Sequence, residues 1–145
     1  PLRLDRAGFR LLSEAEWEYV CRSGVGTAYS FGSDEELLDH YAWHLKISGT
    51  WSHPTGDRRP NVRGLFDIHG NVYEWCHDWK ASYPEGTVLE DPRGPDPGGS
   101  IRIIRGGTTG LCRSSYRSSM VPSSRSFNLG FRIATTLPSE VPEAK

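Results

Sequence analysis

Three thiols, two carboxylates flanking a Gly-Asn turn, a close pair of histidines and a run of arginines are the chemically useful side chains of this 145-residue chain. Cys21, Cys76 and Cys112 are odd in number, so at most one internal bridge can form and one thiol is left over. Asp67 and Glu74 stand seven apart in Asp67-Ile68-His69-Gly70-Asn71-Val72-Tyr73-Glu74 and can converge if the loop curls at Gly70. Converging carboxylates suit a hard cation, which takes oxygen ligands including backbone carbonyls. The alternative is that both only hydrogen-bond the turn. His40 and His44, four apart, can share a helical face as metal-binding histidines do. No third ligand follows at suitable spacing, and Tyr41-Ala42-Trp43 between them reads as core. The chain contains neither a Gly-Lys-Ser/Thr phosphate loop nor a Gly-X-Ser-X-Gly elbow.

The formal net charge is only -1, but it is unevenly spread. Residues 1–99 hold 10 Lys/Arg against 16 Asp/Glu, whereas residues 100–136 carry Arg102, Arg105, Arg113, Arg117, Arg125 and Arg132 with no acid and no Lys. A segment bearing only guanidinium charge either binds an anion or pairs with the acidic earlier part of the same chain, and internal pairing is the expectation. No nucleic-acid partner is expected.

These side chains need elements to position them. In Leu12-Ser13-Glu14-Ala15-Glu16-Trp17, Ser13 can accept from the Glu16 amide while the Glu16 carboxylate reaches back to the Ser13 amide, which is a capping box. Leu12 and Trp17 occupy the positions of a hydrophobic staple, and Trp17, Val20 and Cys21 share one face. The pattern predicts a helix from Glu14 to about Arg22, ended by a left-handed Gly24. A short helix is expected over residues 34–40, a loop over 48–60, and an aromatic core over 64–79, where Phe66, Tyr73, Trp75 and Trp79, with Tyr83 just beyond, surround the Gly-Asn turn. Residues 91–100 read as a surface loop leading into a strand at 101–105; a second strand is predicted at 129–134 after a Ser-rich connection. Residues 137–145 read as a disordered tail or linker.

With 36% hydrophobic and 24% charged residues the chain has apolar surface for one core, and its 16 Gly, 10 Pro and abundant aromatics point to a loop-rich fold pinned by rings. No apolar run approaches the ~20 residues of a membrane helix. The chain therefore reads as soluble, with no membrane partner, while the odd cysteine count leaves the compartment undetermined.

Four segments together resemble the formylglycine-generating enzyme (sulfatase-modifying factor) family: Gly8-Phe9-Arg10-Leu11-Leu12-Ser13-Glu14-Ala15-Glu16-Trp17-Glu18-Tyr19, Gly64-Leu65-Phe66-Asp67-Ile68-His69-Gly70-Asn71-Val72-Tyr73-Glu74-Trp75, Arg105-Gly106-Gly107, and Asn128-Leu129-Gly130-Phe131-Arg132. Each alone is a weak match; all four in this order cover residues 8–132. The resemblance implies an α+β fold of the formylglycine-generating-enzyme type, C-type-lectin-like and rich in irregular structure. Residues 1–136 would form the later, larger part of such a domain, without its opening portion. It also implies a calcium site with the Asp67 carboxylate, the Gly70 and Val72 carbonyls and the Glu74 carboxylate as ligands, whereas the family's other calcium site has no counterpart after Tyr41.

In catalytic members of that family two cysteines five apart follow the Gly-Gly, hold copper(I) and oxidise a substrate cysteine to formylglycine; paired thiolates suit that soft ion. Here Gly106-Gly107 is followed up to Arg117 by Cys112 alone. Cys112 is thus an incomplete catalytic candidate, and copper is not expected. Cys76 lies where bacterial relatives often carry no catalytic cysteine, so a Cys76–Cys112 bridge or two buried thiols is the expected state. Arg117, Pro122, Arg125 and Arg132 match a scaffold pattern of the family. The segments 108–116 and 118–127, with small hydroxylated residues beside Arg113, Tyr116 and Arg117, suit a binding surface on a fixed frame for a protein or small-molecule ligand. The resulting expectation is a non-oxidase binding module, with a sulfatase-activating oxidase and an inert truncated fragment as alternatives.

Overall fold

The computed structural model describes residues 8–49, 51–86, 88–90, 92, 94–95, 99–107 and 111–136. The expected tail over 137–145 lies outside them. The elements run β1 (Gly8–Leu11), α1 (Glu14–Arg22), a single 3-10 turn (Glu35–Leu37), α2 (Leu38–Tyr41), α3 (Leu45–Ser48), β2 (Tyr73–Trp79), β3 (Arg102–Arg105), β4 (Ser118–Met120), β5 (Leu129–Phe131) and β6 (Ile133–Thr136). Strands β4-β3-β2-β5 make one sheet in that order, antiparallel except for the β2–β5 pair, and β1 pairs antiparallel with β6 in a second. Much of the described chain is neither helix nor strand.

Helix α1 forms as its caps dictate. The Glu16 amide donates to Ser13 Oγ at 3.2 Å, and the Ser13 amide donates to Glu16 Oε2 at 2.7 Å. Arg10 then clamps both Glu16 oxygens at 2.6 Å. Burial pushes the Glu16 carboxyl up, but Arg10 and the Ser13 amide outweigh it and hold the group below its ordinary value. The left-handed residue that ends the helix is Ser23 (φ 53°) rather than Gly24, which follows with φ 94°. The inner face of α1, Trp17 and Cys21, is sealed against Leu12, Ile68, Cys76 and Ile103. A second cluster joins Tyr29, Leu38, Ala42 and Cys112.

Two expectations change here. The predicted strand over 129–134 is two strands with different partners: β5 runs parallel to β2, and β6 turns to pair with β1. The aromatic core over 64–79 is instead mostly a strand whose buried side is Glu74, Cys76 and Asp78, while Tyr73, Trp75 and Trp79 are half-buried and Phe66 is exposed. The inversion is stable because both buried carboxylates are hydrogen-bonded, which offsets their desolvation.

Candidate functional site

The turn between Phe66 and Glu74 needs three left-handed residues, Asp67 (φ 54°), Gly70 (φ 83°) and Asn71 (φ 60°). Gly70 has a second requirement, since a Cβ there would collide with the Trp43 carbonyl oxygen. The Asn71 amide donates to that oxygen at 2.8 Å, and the Asn71 side chain exchanges hydrogen bonds with both backbone groups of His53. Trp43 is itself layered between the His53 ring at 3.7 Å and the Arg58 guanidinium at 3.6 Å. The 51–60 loop is thereby fastened over the turn.

Asp67 and Glu74 are both buried, one at each end of this turn. Asp67 Oδ2 accepts from the Gly56 amide at 2.9 Å; Oδ1 is buried and accepts from nothing among the described residues. Glu74 accepts from Trp17 Nε1 at 2.7 Å and from Arg132 at 3.0 and 2.8 Å. Arg132 Nη2 also donates to the Phe66 carbonyl at 3.0 Å, so one guanidinium ties the residue before Asp67 to Glu74 and closes the turn. The donor set is hard oxygen throughout, and an orphaned buried carboxylate oxygen fits a hard cation. Among the described residues no three His, Cys, Asp or Glu side chains gather as a metal cluster. His40 and His44 accordingly acquire no third ligand; His44 is buried with Nε2 2.6 Å from Asp39 Oδ1.

His69, inside the turn, received no role from sequence reasoning. Its ring is 1% exposed and packs edge-on against Tyr29 and Phe31. The Ser30 amide donates to Nε2 at 3.1 Å, which leaves the proton on Nδ1, 2.8 Å from the Cys112 carbonyl. Burial pushes its pKa down, against the opposing effect of the Cys112 carbonyl. A neutral imidazole thus pins the 28–32 loop and the Cys112 segment to the turn.

No disulfide joins any of the three cysteines, and all are buried, with Cys21 and Cys76 at 0% and Cys112 at 1% exposure. Cys21 and Cys76 belong to one core cluster and Cys112 to the other. Burial pushes the Cys21 thiol up to about 12 and raises Cys76 as well. Of the two expected states, buried thiols is the one present.

The arginine-rich segment pairs internally. Arg105 is 0% exposed, on β3 behind α1; it reaches Glu14 at 3.4 Å, Glu18, and the Ser114 carbonyl at 2.7 Å. Arg117 Nε donates to Glu14 at 2.7 Å and Nη1 to the Ala81 carbonyl at 2.6 Å, and Tyr83 Oη donates to the same Glu14 oxygen at 2.9 Å. Burial, and then the Glu14 charge, push Tyr83 up to about 12. The three residues named for ligand binding therefore diverge. Arg117 is turned inward, Arg113 meets Glu35 at 3.2 Å on the surface, and the Tyr116 ring lies 6.5 Å from that of Tyr73.

A family model described as "Sulfatase-modifying factor enzyme 1-like domain" matches residues 4–137. The chain belongs to this family. It is 40% identical over 151 residues to the formylglycine-generating enzyme of Streptomyces coelicolor, a match covering 88% of this chain and 47% of that enzyme. It is also 34% identical to the serine/threonine-protein kinase Pkn1 of Chlamydia trachomatis, covering 88% of this chain and 21% of the kinase. Among solved structures, Treponema denticola variable protein 1 superposes with a TM-score of 0.84 at 39% identity, covering 91% of this chain and 49% of that one. The fold is of the formylglycine-generating-enzyme type, α+β with little regular structure. Such domains thus occur in enzymes, within a kinase chain and in a variable protein, and this chain spans about half the length of the first and third relatives. No helix among the described residues is long and apolar enough to cross a membrane.

Proposed function

We propose that this domain is a ligand- or protein-binding module without oxidase chemistry. The observation that carries this reading is the state of the thiols. A copper(I) pair needs two thiolates meeting at one accessible point, whereas Cys112 is sealed in a different cluster from Cys21 and Cys76. With its thiol pushed up to about 12, Cys21 is ionised in roughly one molecule in 10⁵ at pH 7. These residues do not fit the copper centre of catalytic relatives.

Calcium is a different matter. The buried, unpartnered Oδ1 of Asp67 supports a cation at the turn, with Glu74 and the carbonyls of Gly70 and Val72 completing an oxygen set. The ion would hold the binding frame rather than act on a substrate. The function is tested by incubating the protein with copper(I), oxygen and a Cys-X-Pro-X-Arg peptide and weighing the product. The peptide is expected to keep the mass of its cysteine form; conversion to formylglycine with multiple turnovers overturns the reading.

A further inference from the structure

A hollow of about 790 Å³ lies between α1 and the segment that follows β2, within the size range of ligand pockets. Its apolar surface comes from Tyr19 of α1, from Trp79, Tyr83 and Pro84, and from Leu89 and Pro92 opposite. Tyr19, Tyr83 and Leu89 are 63%, 62% and 50% exposed, so the aromatic and aliphatic rim is open to a partner. Glu14, Glu18, Asp78, Arg22 and Arg117 supply the charge.

The wall's acceptors are largely engaged already. Glu14 Oε1 takes hydrogen bonds from Arg105, Arg117 and Tyr83; Glu18 takes them from Arg105 and Arg22; Asp78 Oδ2 takes the Glu14 amide at 2.7 Å. Donors are what remain. The Tyr19 hydroxyl accepts from Arg63 Nη2 at 3.1 Å and keeps its own proton to give. Arg117 uses Nε and Nη1, and neither its Nη2 nor the Trp79 indole N–H makes a hydrogen bond among the described residues. A partner must therefore bring acceptors. Three carboxylates disfavour an anion there, and Arg22 with Arg117 disfavour a cation.

We propose that this hollow binds an uncharged, proline-rich peptide segment of another protein. Proline has no backbone N–H, so a proline-rich chain presents carbonyl acceptors without competing donors. In its extended left-handed helix those carbonyls have no internal partners, and its rings pack on Tyr and Trp surfaces at little ordering cost. The hollow is separate from the 108–127 surface and from the cysteines, so this inference and the absence of oxidase chemistry fail independently.

Calorimetric titration of the protein with a blocked oligoproline peptide tests it. Saturable binding is expected with Kd below about 1 mM. Tyr19→Phe, which keeps the ring and removes the donor, is expected to weaken binding about threefold to tenfold. Leu89→Asp, on the opposite wall, is expected to abolish it, with circular dichroism and Tm checking that both variants fold as the parent does. The proposal is overturned by no saturation up to about 1 mM peptide, by folded variants that bind like the parent, or by tighter binding of inorganic phosphate or maltose than of the peptide.

Discussion

His69 combines complete burial with a full set of partners, and it is neutral only because the fold keeps it so. In the unfolded chain the imidazole takes a proton near its ordinary value of about 6.5, whereas in the fold it does so only at lower pH. Its contribution is therefore fully present above about pH 6.5 and is lost as pH falls toward the folded value. Chemical denaturation should show the domain losing stability between about pH 7 and 5.5. His69→Gln should start lower and lose less across that interval; an unchanged slope would remove His69 as its source. Asp67 gives a second prediction at this scale. Calcium at about 100 times its Kd should stabilise the protein by about 2.7 kcal/mol, read as a rise in Tm, and Asp67→Ala should abolish the rise. An equal rise in the variant would place any calcium elsewhere. Asp67, Glu74 and the surrounding turn were legible in the sequence because their spacing and turn chemistry are local. His69 was not, because nothing in its neighbours indicates that Ser30 and Cys112 will meet it.

Among the elements, α1 was the most legible, since a capping box is written in adjacent residues and is satisfied without help from the rest of the chain. Ser13→Ala should cost about 1 kcal/mol of unfolding free energy, and a variant as stable as the parent would mean that Arg10 alone fixes Glu16. The strand β2 was hidden for a physical reason. Its inner face is Glu74, Cys76 and Asp78, and a pattern reader expects apolar residues there. Their burial rests on Arg132, Trp17 and the Glu14 amide, all distant in sequence. The two-residue offset between β5 and β6 was equally invisible: Arg132 leaves the strand to reach Glu74, so what reads as one apolar strand serves two sheets.

At the scale of the molecule, fold and chemistry separate. The arginines of residues 100–136 act as internal ties, as their pairing with the acidic earlier part suggested, and Arg105 is the most deeply placed. Replacing it with Met leaves Glu14 and Glu18 short of a counter-charge inside the protein and should cost about 3–5 kcal/mol by denaturant titration. A neutral outcome would mean that Arg117 and Arg22 suffice. The same frame that fixes the family fold buries every thiol, and this is the centre of the account. The measurement that tests it most directly is a competition titration of copper(I) between the folded protein and a chromophoric chelator, with sulfur coordination followed by X-ray absorption. The account predicts that the chelator keeps the copper until the protein is unfolded. One equivalent of copper held by two sulfurs in the native state would contradict it.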